Sequence, residues 1–358
     1  PLGPVRALTN PYAGMGRKAV WKRRIKELPL RPSTCFHLMS RLCEGVPFFD
    51  ETEKEALVIV LRKLARFCGL KLLTYCVMGN HFHALVRVPE RGEWLRRFEG
   101  VDGEDKLLRH LRLLYSRSYV ESLRLQLAEW RRQGNEAEAK RCVDEMKRRF
   151  CDISVFMNAV KLRFSRWYNK RHGRRGALWM GRFKSVLVED RQQTARQQTS
   201  DKRGRLDALK VMAAYIDLNP VRAGLVERAE LYRWSGWGAA LGGDKEAVEG
   251  LCDVVGCSAA QWEKRARESY GQWLVVSADD GGMERMREGE NEGVELLGRV
   301  RAFTRGLAVG SREFVEEVFE GRRELFGPRR KQGARPLDGG GESVRRGLCA
   351  LRQVGGGG

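Results

Sequence analysis

From Thr34 to Arg41 (TCFHLMSR) the apolar and polar positions read as a strand. Asp50 then opens a helix, with Glu53 three residues on in a capping-box arrangement and Gly69 as its stop. Within it Leu57, Leu61, Leu64 and Cys68 recur at helical spacing and form a core face. Lys71–Val77 and His81–Val88 read as a hairpin through Met78-Gly79-Asn80, because Gly and Asn tolerate the positive φ of tight turns. The order to this point is β, α, β, β. From about Glu93 to Val160 the pattern is helical, heavily charged and free of proline, with a break near Gln133-Gly134-Asn135. That predicts a helical hairpin inserted into the fold or flanking it, its charges forming a solvated face. Phe183–Glu189 (FKSVLVE) reads as another strand, Asp190–Gly204 as a polar loop, and helix resumes near Leu206.

After Pro220 the run Glu230–Trp237 closes the compact region, and Gly242-Gly243 marks a boundary. Two more helical stretches are expected, about Ala259–Val276 and Val294–Leu325. In the second, Ala302–Phe319 offers a helix, a Gly-containing turn and a helix capped by Ser311. That pattern suits a helix-turn-helix and equally a small packing module. Past Gly327 a Gly- and Arg-rich disordered basic tail is expected. The predicted organisation is a basic N-terminal arm over 1–32, a catalytic domain over 33–242 with its helical insertion at 93–160, a C-terminal helical region over 243–327, and the tail over 328–358. Lys18, Lys22, Arg23, Arg24 and Lys26 make the arm basic, either a solvated segment or one that touches DNA.

Charge narrows the class of partner. The 358 residues carry 67 Lys and Arg against 46 Asp and Glu, a net charge of +21 that favours an anionic, salt-sensitive partner. Nucleic acid leads and a membrane surface follows. No run approaches the ~20 apolar residues of a membrane-spanning helix and no signal peptide opens the chain, so a cytosolic, cytoplasmic protein is expected. The chain begins with Pro1 rather than Met, as a fragment or a chain with an added segment would. Nine scattered cysteines without a C-x-x-C pair read as buried free thiols. One segment departs from ordinary surface charge: Lys161–Lys184 interleaves nine Lys or Arg with Phe164, Trp167, Tyr168, Trp179 and Phe183. Cations beside planar rings suit phosphates and unstacked bases. The tryptophans equally suit a core.

The candidate chemistry lies in two runs. In Tyr75–Pro89, His81 and His83 stand two apart on a predicted strand, so both imidazoles leave one face and can share a metal ion. In Ala214–Val226 (AYIDLNPVRAGLV), Tyr215 and Asn219 stand four apart and share a face if the segment is helical. Pro220 disfavours helical geometry at Asn219, which leaves a cap or turn as its alternative role. Asp217 is expected to face elsewhere. His37, on a neighbouring strand, reads as a core histidine, and His172 as a residue touching DNA or solvent. Two imidazoles with open positions suit a single cation that polarises a phosphate, and a tyrosine can hold a covalent phosphodiester where water cannot.

These segments resemble the HUH single-tyrosine transposases, most closely the REP-associated tyrosine transposases. The resemblance rests on His81-Phe82-His83, on CFHLMSR, on NKRHGRRGALWMGRFKSVLVE and on YIDLNPVRAGLV, in that family's order and spanning roughly Thr34 to Trp237. It implies an α+β fold with a ferredoxin-like antiparallel sheet and flanking helices, to which the helical stretches past residue 242 add a C-terminal all-α appendage. It further implies an enzyme that nicks and rejoins single-stranded or hairpin DNA near palindromes. Tyr215 would attack to leave a 5′-phosphotyrosine and a free 3′-OH, with Tyr168 as the rival nucleophile. His81, His83 and Asn219 would hold Mg²⁺ or Mn²⁺. Arg163, Arg166, Lys170, Arg171, Arg174, Arg175, Arg182 and Lys184 would contact DNA, with Trp167 and Trp179 as stacking candidates. A homodimer is compatible with a tyrosine helix that completes either its own site or a partner's. The competing readings are a domesticated palindrome-binding protein that does not cut, and a replication-initiator or relaxase nuclease, against which the NPVRAG run argues.

Overall fold

The computed structural model describes residues 33–190, 207–274, 301–337 and 347–352. The predicted arm at 1–32, most of the 190–204 loop, the end of the first and the start of the second predicted C-terminal helical stretch within 275–300, and 338–346 and 353–358 of the tail lie outside them. Strand β1 (Ser33–Arg41) leads to helix α1 (Glu51–Cys68), then β2 (Lys71–Val77) and β3 (His81–Pro89). The capping box forms as expected: Asp50 accepts from the Glu53 amide, Glu53 accepts from the Asp50 amide, and Gly69 closes the helix at φ +72°. A side chain at Gly69 would meet the Trp94 indole at 2.4 Å, so packing as well as backbone conformation demands glycine.

Between β3 and the next strand come α2 (Arg91–Leu95), α3 (Gly103–Leu111), α4 (Arg117–Arg132), α5 (Glu136–Lys147) and α6 (Ile153–Arg171). The break between α4 and α5 falls at Gln133-Gly134-Asn135, as the sequence suggests. Strand β4 (Lys184–Val188) follows, then α7 (Ala208–Asp217), α8 (Asn219–Arg222), α9 (Gly236–Leu241), α10 (Lys245–Val255) and α11 (Arg267–Leu274). The last described segments are α12 (Ala302–Arg305), β5 (Gly306–Gly310), α13 (Arg312–Glu320), β6 (Ala334–Pro336) and β7 (Cys349–Arg352).

The seven described strands form one sheet in the order β2-β3-β1-β4-β5-β7-β6, antiparallel except where β5 runs parallel to β4. The protein is therefore a mixed α+β molecule. Helices α1 and α6 pack together on the face that carries Phe82, where Phe49, Phe164, Tyr168 and Trp179 also meet. Helix α7 lies on the opposite face, the one bearing His37 and His83.

The C-terminal half corrects the sequence reading. The 302–319 segment is not a helix-turn-helix: its middle, GLAVG, is the buried strand β5. Ser311 does cap α13, accepting from the Phe314 amide. It also donates to buried Glu189 at the end of β4, fastening the helix to the sheet. Residues 334–336 and 349–352 of the predicted disordered tail are strands of the same sheet. An all-α appendage is therefore replaced by an extension of the sheet. Nor does Gly242-Gly243 separate a domain, for α10 packs on β2 and Tyr270 of α11 reaches Asp217 of α7. The nine cysteines are unpaired and six are buried.

Candidate functional site

Strand alternation places His81 and His83 on one face of β3, and the β1–β3 register brings a third histidine to them. Met39 stands opposite His83 and Leu85 opposite His37, so His37 and His83 are diagonal neighbours. Their rings stack with centroids 5.0 Å apart, and His37 Nε2 lies 2.8 Å from His83 Nδ1. The other nitrogen of His37, Nδ1, donates to the Phe303 carbonyl at 2.8 Å. His81 meets His83 edge to face at 5.0 Å, and its Nδ1 lies 2.6 Å from Asn80 Oδ1. Burial pushes His37 and His81 down to about 4 and holds His83 well below the usual imidazole range, with the Arg222 charge adding to the effect. All three are neutral at pH 7.

Helix α7 starts at Asp207, whose carboxylate caps the Leu209 and Lys210 amides, and is almost wholly buried. It sets Tyr215 edge-on to His37, with centroids 6.5 Å apart, and to Phe303 at 4.9 Å. The Arg222 guanidinium lies 3.7 Å from the Tyr215 ring centroid, and burial lowers its proton affinity. Tyr215 is 4% exposed, and its hydroxyl has no hydrogen-bond partner among the described residues.

Helix α7 ends at Asp217, before Pro220 as expected, but Asn219 is not the non-helical residue the sequence suggests: it opens the short helix α8. Asn219 bridges the break, its Nδ2 donating to the Tyr215 and Ile216 carbonyls at 3.2 Å each. Its Oδ1 accepts from Arg222 at 2.6 Å. Asp217 indeed faces elsewhere, buried among Thr74, Tyr270 and the Trp237 amide.

Among the described residues Nε2 of both His81 and His83 lacks a hydrogen-bond partner, so two neutral imidazoles fit a small cation with other positions left for phosphate oxygens or water. Asn219 would join them only after exchanging its bond to Arg222. Among the described residues no cluster of three or more His, Cys, Asp or Glu side chains could hold a metal.

The basic segment packs its aromatic side inward. Tyr168 is fully buried, Trp179 is 7% exposed with its indole donating to the Lys161 carbonyl, and Trp167 is 36% exposed. Arg163, Arg166, Lys170, Arg171, Arg175, Arg182 and Lys184 are exposed and Arg174 half-buried. Arg171 stands near Asp50 and Glu53, and His172 hydrogen-bonds Glu53 rather than standing alone. The loop before β4 runs along the end of β1 through the Leu42–Trp179 bridge and the Met180 amide bond to Arg41, whose register partner is His81. Arg182 and Lys184 therefore lie toward the histidine end of the sheet, whereas α6 carries its cations on the other face.

Sequence reasoning missed Phe303 and Arg222, and assigned His37 to the core without its contact to His83. The Arg222 contact was accessible in principle, since positions 215, 219 and 222 follow helical spacing. Phe303 was not, being 88 residues from Tyr215 in sequence. A separate cavity of about 460 Å³ opens at the other end of β2 and β3, lined in part by Arg62, Lys71 and Arg87. Those cations are paired with Asp244, Asp253 and Asp190, which leaves the cavity without a distinctive charge.

No protein-family model matches the sequence, and neither does any curated protein. Among solved structures, the chain is similar to a REP-associated tyrosine transposase bound to a REP hairpin, with a TM-score of 0.33 and 13% identity over 64% of this chain and 86% of that one. The functional reading rests on the site geometry instead. Among the described residues no helix is long and apolar enough to cross a membrane.

Proposed function

We propose that this protein is a metal-dependent enzyme that nicks and rejoins single-stranded DNA at or near hairpin-forming palindromes, through a covalent link to Tyr215. The observation that carries the reading is the placement of Tyr215 on the same sheet face as the histidines, in edge contact with His37. The strand order β2-β3-β1-β4 with two helices on one face supports a ferredoxin-like core beneath that site.

In this reading His81 and His83 would hold Mg²⁺ or Mn²⁺, with Asn219 as a further candidate whose oxygen is bonded to Arg222. Such a cation would supply polarisation of the scissile phosphate and stabilisation of the departing 3′ oxygen. The Tyr215 oxygen forms a bond to phosphorus while the bond from phosphorus to the 3′ oxygen breaks, giving a 5′-phosphotyrosine and a 3′-OH. The phenolic proton passes to solvent and the 3′ oxygen takes one up. One phosphodiester replaces another, so a later attack by a 3′-OH regenerates Tyr215 and joins strands without ATP. Arg222 holds the tyrosine ring by its face, and the exposed cations of 163–184 bind the DNA backbone.

The burial of Tyr215 favours one rival, a palindrome-binding protein that does not cut. Incubation with labelled single-stranded DNA carrying palindromes, with Mn²⁺ or EDTA, separates the two. A denaturant-resistant adduct that needs both Mn²⁺ and Tyr215, tested with Tyr215→Phe, supports the enzyme. Tight binding without any adduct, unchanged in Tyr215→Phe and in EDTA, supports the binding protein.

A further inference from the structure

The polar contacts of His37 impose an order of protons on the site. The Phe303 carbonyl can only accept, so the 2.8 Å contact requires the His37 proton on Nδ1. A neutral His37 then presents a bare Nε2, and that atom lies 2.8 Å from His83 Nδ1. His83 must therefore carry its proton on Nδ1, which leaves its Nε2 with a lone pair. Full burial of both rings, with no acid beside them among their hydrogen-bond partners, keeps them neutral. His81 reaches the same state independently, because Asn80 Oδ1 accepts from its Nδ1 at 2.6 Å.

We propose that His37 is a positioning residue that passes the proton order set by the Phe303 carbonyl to His83, fixing the tautomer whose Nε2 is open to a cation. The inference rests on the metal-site reading above and assigns a role to a residue outside the H-x-H pair. Outer partners of this kind fix both the tautomer and the ring orientation of a metal-binding histidine. The source of the order is remote in sequence. Phe303 sits in the four-residue helix α12, whose last carbonyls lack helical partners, and His37 satisfies one of them. Strand β5, paired with β4, holds that helix in place, and the Phe303 ring packs against Tyr215. The C-terminal extension of the sheet thus contacts the proposed nucleophile and sets the ligand state of His83.

The test is long-range ¹H–¹⁵N correlation on the intact, metal-free protein labelled at histidine, with Mn²⁺ titration calorimetry alongside. His37, His81 and His83 should all appear as Nδ1–H tautomers, the less common form in water. His37→Leu should release His83 toward the Nε2–H form and weaken Mn²⁺ binding by about 10–100-fold. His37→Gln should recover most of that affinity, since its amide can donate to Phe303 and its oxygen can accept from His83. An intact protein with His83 protonated on Nε2 overturns the proposal, even if His37→Leu fails to fold. So does a His37→Leu variant whose His83 tautomer and Mn²⁺ affinity are both unchanged. An intact protein that shows the Nδ1–H tautomers, with the His37→Leu shift of His83, yet takes up no Mn²⁺ would support the relay and remove the metal reading.

Discussion

Tyr215 is held on three sides, by the Arg222 guanidinium against its face and by His37 and Phe303 against its edges. The same guanidinium occupies the oxygen of Asn219, so the role of Asn219 is open to a direct measurement. If it ligates the cation, Asn219→Ala weakens Mn²⁺ binding by roughly tenfold or more in calorimetry. If it only bridges the helix break, the variant loses about 1–3 kcal/mol of stability in urea with Mn²⁺ affinity intact. Asp217, two residues from Tyr215, makes a different prediction. Burial pushes its carboxyl up to about 7, above the ~3.9 of an exposed aspartate. The folded protein therefore binds this proton more tightly than the unfolded chain. The resulting stabilisation is full below about pH 4 and is lost as pH rises through about 7. Thermal melts should show the Asp217 contribution as a fall in Tm between about pH 4 and about pH 7, and Asp217→Asn should flatten that fall; an identical slope in the variant would assign it to other groups. At this scale the sequence was most legible where a period is short. Two-residue alternation alone puts His81 and His83 on one face, but the contact of His37 with His83 depends on the β1–β3 register, which no local pattern encodes.

Among the elements, α7 and α10 show how closely the helices approach the sheet. Gly250 of α10 faces β2 so tightly that an added Cβ would lie 2.5 Å from the Leu73 carbonyl oxygen and 2.6 Å from that of Leu72. Gly250→Ala should therefore lift α10 from β2 at a cost of about 1–3 kcal/mol in denaturant unfolding, and an unchanged midpoint would mean that the helix shifts freely. The early elements were readable because their ends carry their own chemistry, as in the Asp50–Glu53 box and Gly69. The 306–310 segment was not. GLAVG, flanked by helical sequence, has no alternation to mark it as a strand, and its state is decided by pairing with β4 and β7.

Across the whole molecule, the net charge of +21 and the exposed cations of 163–184 predict binding to DNA that weakens steeply with salt. Arg166, Lys170 and Arg175 have no ion-pair partner among the described residues, so replacing all three with Gln should lower the salt slope for single-stranded DNA by roughly 2. An unchanged slope would move the DNA path off α6 and its following loop. Charge was legible in the sequence and underlies the proposal of a nucleic-acid partner, whereas the joining of the C-terminal strands to the same sheet required contacts far apart in the chain. The function proposed for the site turns on whether Tyr215 becomes bonded to DNA. Its most direct test is mass spectrometry of peptides from protein incubated with palindromic single-stranded DNA and Mn²⁺, then digested with nuclease and protease. The account predicts a nucleotide phosphate on the peptide containing Tyr215 and its absence with EDTA. A nucleotide on the Tyr168 peptide, or DNA cut with no modified tyrosine at all, would contradict it.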